Sequence, residues 1–176
     1  MNETLKVLEN RRSCRKFVAD KMPSEADIEA VIRAGAFAPS GMGRQPVRII
    51  AVTNKAVRDE ISAENARIMG KDAGFDPFYG APVILLVVAD KSATTYLYDG
   101  SLVMGNLMNA AESLGLASIW IHRAKEEVES DFGKRLLKDA GLEGDFEGIG
   151  HVALGYAAEG GTAPAAERKQ SVYWVR

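Results

Sequence analysis

The sequence predicts a domain that mixes α-helices and β-strands, of the α/β or α+β class. Short aliphatic and β-branched runs are typical of strands, and stretches between them repeat apolar residues with a helical period. The chain has 176 residues, about the size of one domain, so we predict one domain over residues 1–176. Its 47% hydrophobic and 26% charged residues are those of ordinary globular proteins, not of disordered or coiled-coil chains.

The first half of the chain is predicted to contain three helices and two strands. The helices lie around Val7 and Leu8, from Ser24 to Pro39, and over residues 54–68; the strands are Val47–Thr53 and Val83–Ala89. Ser24 and Asp27 form a capping pair at the start of the second helix. The β-branched residues of Val47–Thr53 are typical of a central strand. Loops rich in glycine and proline occupy residues 38–46 and 70–82.

The second half is predicted to contain two helices and three extended segments. The helices span residues 93–115 and 125–141, and the extended segments are Ala117–Ile121, Gly150–Tyr156 and SVYWV at residues 171–175. Gly115 and Gly141 end the helices, as glycine often does. The helix over 93–115 is apolar on most faces, and such a helix must be buried by a neighbour. A second subunit is a suitable neighbour in a chain of this size.

Charge and cysteine content narrow the function classes. There are 22 basic and 24 acidic residues, a net charge of −2, whereas nucleic-acid binders usually carry a basic excess. The single cysteine cannot form an internal disulfide, which fits a reducing compartment. The longest apolar run, Ala81 to Ala89, is too short to span a bilayer. We therefore expect a cytoplasmic protein with no nucleic-acid partner and no membrane association.

A basic segment near the N-terminus is the first candidate for chemistry. Arg11, Arg12, Arg15 and Lys16 surround Ser13, and the planar donor set of arginine suits phosphate oxygens. A solvated basic patch is the alternative.

Two further segments are candidates. The loop over residues 38–46 offers Ser40, Arg44 and Gln45 as donors, with glycines that let the backbone approach a flat ligand; an ordinary connection is the alternative. His122 and Arg123 directly follow a predicted strand, and ligands of open α/β sheets bind beyond strand ends. A surface turn is the alternative there.

Several other chemistries lack their motifs. Gly148, Gly150 and Ala153 match G-x-G-x-x-A, but they lead into a predicted strand, whereas a dinucleotide motif opens a helix. The sequence has no P-loop, no G-x-S-x-G, no H-E-x-x-H and no C-x-x-C, so we predict no metal site and no serine nucleophile. Cys14 has no evident base, and we interpret it as structural.

Taken together, these segments resemble the FMN-dependent nitroreductase family, and its short members most closely. RRSCRKF is similar to the family's R-R-S-x-R-x-F, and APSGMGRQPVRIIAV to its A-P-S-x-x-N-x-Q-P-W-x-F loop and strand. FYGAPVILLVVAD, DGSLVMGNLMNAAESLGLASIWI, HVALGYAAE and SVYWV also fit in order and spacing. The resemblance covers essentially the whole chain.

The resemblance implies an α+β fold with a mostly antiparallel central sheet flanked by helices, in an intertwined homodimer. FMN would lie at the dimer interface, and the C-terminal segment would reach the partner's sheet. The implied activity is ping-pong hydride transfer from NADH or NADPH through the flavin to a small acceptor, such as a nitroaromatic or a quinone. The flavin carries that chemistry, so no side chain is predicted to be catalytic. Two alternatives to this activity remain open. The protein is a flavin-binding module without turnover, or it is a flavin-fragmenting or dehalogenating relative.

The resemblance also implies a set of cofactor-binding residues. They are Arg11, Arg12, Ser13, Arg15, Pro39, Ser40, Gly41, Met42, Gln45, Ile121, His122, Arg123, Arg168 and Lys169. The first four would serve the phosphate and ribityl end, with Arg12 acting through its backbone. The loop residues would line the flavin of the partner subunit, and backbone N–H groups near His122 and Arg123 would face its N5 edge. Arg168, or else Lys169, would complete the phosphate site.

Departures from the family pattern point to the substrate. Gly43 and Val47 stand where the family usually has Asn and Trp, and His122 and Arg123 replace small residues. If both bulky side chains face the substrate, they favour anionic or carbonyl-bearing acceptors, since arginine binds carboxylates bidentately. The alternative is that they point to solvent and only their backbone faces the flavin.

Overall fold

The computed structural model describes residues 1–72, 74–169 and 172–176. Within them, four strands form one sheet: β1 (Val47–Val52), β2 (Val83–Asp90), β3 (Ala117–Ile121) and β4 (Phe146–Gly155). Six helices accompany it: α1 (Glu3–Asn10), α2 (Glu25–Ala36), α3 (Lys55–Ile68), α4 (Tyr96–Ser113), α5 (Ala124–Glu129) and α6 (Asp131–Asp139). These elements confirm the predicted sequence of helices and strands through β4, apart from the differences described below.

The sheet has the order β1-β2-β4-β3, and every neighbouring pair is antiparallel. This confirms the α+β class. The prediction that Val47–Thr53 is a central strand is wrong, because β1 lies at one edge and the two interior positions belong to β2 and β4. Val47, Ile49 and Ile50 of β1 are only half-buried, and Val52 at its end is buried, whereas seven of the eight residues of β2 are buried. β-branched content therefore indicated a strand without indicating its place in the sheet.

Helices cover both faces of the sheet, which explains the unbroken apolar run of β2. Val83, Leu85 and Val87 belong to a core with residues of α2 and α4. Ile84 packs on the opposite side with Ile61 of α3. Successive strand residues point to opposite faces, so a strand covered on both faces must be apolar throughout.

The predicted helix over residues 125–141 is two helices, and the single-helix prediction is wrong. Ser130 is extended (φ −73°, ψ 163°), and its hydroxyl accepts a hydrogen bond from the N–H of Gly133 as the N-cap of α6. A Cβ on Gly133 would lie 2.0 Å from the Glu127 carbonyl oxygen. The helix is interrupted here because serine caps a new helix. The two helices then pack so closely at Gly133 that a side chain would not fit there.

The G-x-G-x-x-A match lies inside β4, and its glycines serve packing. A Cβ on Gly148 would lie 2.0 Å from the Ala124 carbonyl oxygen, and one on Gly150 would lie 2.3 Å from Nε1 of Trp120. The pattern therefore reflects close approach of β4 to its neighbours, not a phosphate-binding turn.

The two segments expected at a subunit interface are exposed in the single chain. α4 buries Met104 and Leu107 against the sheet, while Tyr98 on its outer face is 73% exposed. Val175 in the C-terminal segment is fully exposed, and residues 172–176 form no strand. Ser171 of the predicted SVYWV strand lies outside the described residues. Among the described helices, none combines the length and apolar character that crossing a bilayer requires.

Candidate functional site

A cavity of about 220 Å³ opens where β3 ends. Its wall includes Arg15, Trp120, Ile121, His122 and Arg123, together with Met69, Phe75, Pro77, Tyr79 and Ile119. No carboxylate lines this cavity in the part of the chain that the structure describes. Three potentially cationic groups beside aromatic and aliphatic side chains suit a ligand with a flat apolar body and an anionic group.

Arg15 reaches this cavity because the basic N-terminal segment lies along β3. Ser13 forms a parallel bridge with Ser118, and the N–H of Cys14 donates to the Ser118 carbonyl oxygen at 3.0 Å. The N–H of Arg15 donates to the Gly161 carbonyl oxygen at 2.7 Å. The structure thus brings Arg15 to the residues at the end of β3 and Ser13 to Ser118, although more than a hundred residues separate these two segments in the sequence.

Arg11 and Arg12 differ in how their guanidinium groups are satisfied. Nη1 of Arg12 donates to the carbonyl oxygens of Glu9 and Arg11 at 2.6 and 2.8 Å. Nη1 of Arg11 is buried and has no hydrogen-bond partner among the described residues. Buried polar atoms are nearly always paired, and a guanidinium donor is satisfied best by an anionic oxygen. This nitrogen is therefore suited to an anionic ligand group.

The loop over residues 38–46 lines a different cavity, of about 560 Å³. Of the predicted residues, Pro39, Ser40 and Gln45 lie on its wall, with Arg44, Arg48 and Asp99. The two cavities share no lining residue. Within one chain, the structure therefore does not bring the loop residues together with Arg15, His122 and Arg123.

Contacts with the start of α4 fix the shape of this loop. The N–H of Gly41 donates to Oδ1 of Asp99 at 2.9 Å, and the hydroxyl of Thr95 donates to Oδ2 at 2.8 Å. A Cβ on Gly41 would lie 2.3 Å from Oγ1 of Thr95, so the position needs glycine. Met42 has φ 53°, and its side chain is 76% exposed. The sequence reasoning missed Asp99, whose signal was an acidic residue in the first turn of a mostly apolar helix.

The remaining predicted residues lie apart from both cavities. Arg168 and Lys169 are exposed in an irregular C-terminal stretch and line neither cavity. Cys14 is buried, and its thiol donates to the Lys16 carbonyl oxygen at 3.2 Å. Burial raises the pKa of the Cys14 thiol despite that hydrogen bond, which disfavours the reactive thiolate.

A group of buried polar side chains behind the end of β3 was also missed. Asn65 of α3, Glu127 of α5 and His151 of β4 are fully buried. Nδ2 of Asn65 donates to the His122 carbonyl oxygen at 3.1 Å, and Nε of Arg123 donates to Oδ1 of Asn65 at 3.1 Å. Asn65 follows Ile61 by one helical turn, and this spacing could have placed it on the buried face of α3.

Comparison with known proteins identifies the family. The model of the Nitroreductase family matches residues 8–156. The chain belongs to the nitroreductase family. Among solved structures, a nitroreductase with bound FMN from Bacteroides fragilis is 28% identical, with a TM-score of 0.86 and 99% of each chain covered. A nitroreductase with bound FMN from Desulfitobacterium hafniense is 32% identical, with a TM-score of 0.85 and 100% of each chain covered.

A curated relative is found in Archaeoglobus fulgidus. It is 29% identical over 161 residues, which are 89% of this nitroreductase chain and 86% of the relative, and it carries a provisional name as an NADH dehydrogenase/NAD(P)H nitroreductase. The two solved structures confirm the expected nitroreductase fold along essentially the whole chain.

Proposed function

We propose that this nitroreductase-family chain binds FMN and is an NAD(P)H-dependent flavin oxidoreductase. The observation that carries the proposal is the cavity at the end of β3, whose wall holds Arg15, His122 and Arg123 and, among the described residues, no carboxylate. Nη1 of Arg11 does not line that cavity, but it is a second buried donor without a partner among the described residues. A phosphate group can satisfy that nitrogen and lie near Arg15. The FMN bound in two neighbours of the same fold supports this choice of ligand.

The roles of the protein groups follow from their positions. Arg11 and Arg15 hold the phosphate end, and Ser13 lies between them. Backbone N–H groups at His122 and Arg123 stabilise negative charge on the reduced ring, because fixed donors act strongly where water is excluded. When bound, the flavin accepts hydride from NADH or NADPH and passes electrons to a small acceptor. No side chain has to act as a nucleophile or metal ligand.

We further propose that the active unit is a homodimer. The loop over residues 38–46 and the end of β3 line separate cavities in one chain, and a partner's loop can complete the site. The outer face of α4 supports this arrangement, with Leu97, Tyr98 and Leu102 exposed by 46%, 73% and 48%. Exposed apolar patches of this kind commonly mark protein interfaces.

Two measurements test the cofactor and the activity separately. Purified protein is expected to be yellow and to release FMN on denaturation, and NADH or NADPH is expected to bleach the flavin, with a quinone or nitroarene restoring it. Colourless protein that does not bind added FMN contradicts the proposal. Bound FMN that neither nucleotide reduces would instead indicate a flavin-binding module.

His122 and Arg123 are proposed to set the class of acceptor. His122 is exposed, and its side chain has no hydrogen bond among the described residues, whereas Arg123 is anchored through Nε. A cationic wall favours anionic acceptors over neutral ones. Changing both residues to glycine is expected to improve kcat/KM for neutral nitroarenes and to lower it for aromatic carboxylates. An equal shift for both classes would contradict this role.

A further inference from the structure

Three fully buried polar side chains lie behind the turn that follows β3, and the proposed function gives them no role. Asn65, Glu127 and His151, together called the buried clamp, have no exposed surface. Burying polar groups costs free energy unless they are hydrogen-bonded. Their hydrogen bonds therefore indicate what the clamp holds.

Asn65 holds both the backbone and a side chain of the turn. Its Nδ2 donates to the His122 carbonyl oxygen at 3.1 Å and lies 3.5 Å from Oε2 of Glu127. Its Oδ1 accepts from Nε of Arg123 at 3.1 Å. A flipped amide would place its N–H groups against the guanidinium donor of Arg123, so only one orientation satisfies these partners.

The turn needs this support because of its backbone conformation. Arg123 has φ 76°, the left-handed region that is unfavourable for residues with a Cβ. Its Nε bond to Asn65 helps to offset that cost. The same bond keeps the Arg123 side chain against the cavity wall.

The Glu127–His151 pair fixes the other side of Asn65. Nε2 of His151 lies 3.1 Å from Oε1 of Glu127, and Nδ1 of His151 is buried without a partner among the described residues. A neutral imidazole that donates Nε2–H to a Glu127 carboxylate leaves no ring N–H unpaired. The carboxylate then attracts the Asn65 amide, which in turn accepts from the Arg123 cation.

We propose that Asn65 is a positioning residue that fixes the His122–Arg123 turn, so that its backbone N–H groups keep one geometry toward bound flavin. The identity of the ligand rests on the proposed function, whereas the clamp rests on hydrogen bonds within the chain. Loss of the clamp should therefore alter both the motion of the turn and the properties of the flavin.

Asn65→Leu tests the proposal, because leucine has a similar volume and no amide. Ser62→Ala is the matched control: it removes a part-buried 2.8 Å hydrogen bond to Asp76 from the same helix without touching the turn. We expect Asn65→Leu to weaken FMN binding about tenfold, the scale of one lost hydrogen bond. It should also shift the midpoint potential of bound FMN and speed amide hydrogen exchange in peptides covering residues 120–126. Ser62→Ala should change none of these more than twofold.

The outcomes separate this inference from the proposed function. If wild-type protein binds FMN and Asn65→Leu matches Ser62→Ala in affinity, potential and exchange, the clamp inference is overturned and the proposed function stands. If wild-type protein binds no FMN, the proposed function fails, and the flavin part of the inference fails with it. Should Asn65→Leu not fold, Arg123→Leu tests the same bond from the solvent side, with about fivefold weaker FMN binding and faster exchange expected.

Discussion

Replacing Arg11 with methionine should change flavin binding and protein stability in opposite directions. Nη1 of Arg11 is buried with no partner among the described residues, so the flavin-free protein carries an unsatisfied cationic donor. Methionine keeps a long apolar side chain but has no donor. In the flavin-free state, the substitution therefore removes the free-energy cost of burying an unsatisfied donor. In the flavin-bound state, it removes a hydrogen bond to the ligand.

The two effects have separate magnitudes. An unsatisfied buried donor costs about 1–3 kcal/mol, so the free energy of unfolding of the flavin-free protein should rise by about 1 kcal/mol. For a chain of this length that raises Tm by about 2–4 °C. A hydrogen bond to a charged group is worth about 1.5–3 kcal/mol, so the Kd for FMN should rise about 10- to 150-fold.

Both quantities can be measured on the same preparations. Calorimetry of flavin-free protein gives Tm, and quenching of flavin fluorescence gives the Kd. Arg135→Met is the matched control, because Arg135 of α6 is exposed and pairs with Glu60, which is exposed as well. It should leave the Kd unchanged and Tm within about 1 °C, since exposed ion pairs contribute little.

The reasoning is refuted if Arg11→Met lowers the Tm of flavin-free protein while leaving the Kd for FMN unchanged. That result would mean that Arg11 supports the fold and does not contact the phosphate.

Three further predictions concern acid stability, the cysteine and the oligomer. Burial would raise the pKa of Asp76, but hydrogen bonds from Arg58, the Phe78 N–H and Ser62 lower it below its usual value. The ionised Asp76 carboxylate therefore stabilises the folded state above about pH 4, and this contribution is lost as the pH falls through the folded pKa. In urea unfolding, Asp76→Asn should lose less stability than wild type between pH 7 and pH 3. Cys14→Ser should keep most reductase activity, since the buried thiol has no part in hydride transfer. Light scattering should give about twice 19.0 kDa, and Leu102→Glu should yield monomers that have lost FMN.

Each of these predictions has a contradicting outcome. Equal loss of stability in wild type and Asp76→Asn on acidification would remove Asp76 as the responsible group. A several-hundredfold loss of activity in Cys14→Ser with flavin still bound would mean that the thiol takes part in the chemistry. A monomer that retains FMN would contradict a site shared between subunits.

The sequence by itself determined the elements whose signals are local. The apolar run of β2, the Ser24 cap of α2 and the glycine after α4 each depend on neighbouring residues, and the structure confirms them. The basic segment and the Gly-rich loop were also visible in the sequence, because donors and glycines are recognised by residue type. Six motifs that match the family's order and spacing also indicated the family.

Only the tertiary structure decided which of these segments meet. β1 lies at the edge of the sheet because strand order depends on pairing across long separations, which strand propensity does not encode. Ser130 ends α5 because its cap and the glycine contact at Gly133 outweigh the helical period. Asn65, Glu127 and His151 lie on three elements, and their meeting behind the His122–Arg123 turn follows from the packing of α3 and α5 against the sheet. A polar residue reveals its role through its partners, and the chain brings distant partners together only when it folds.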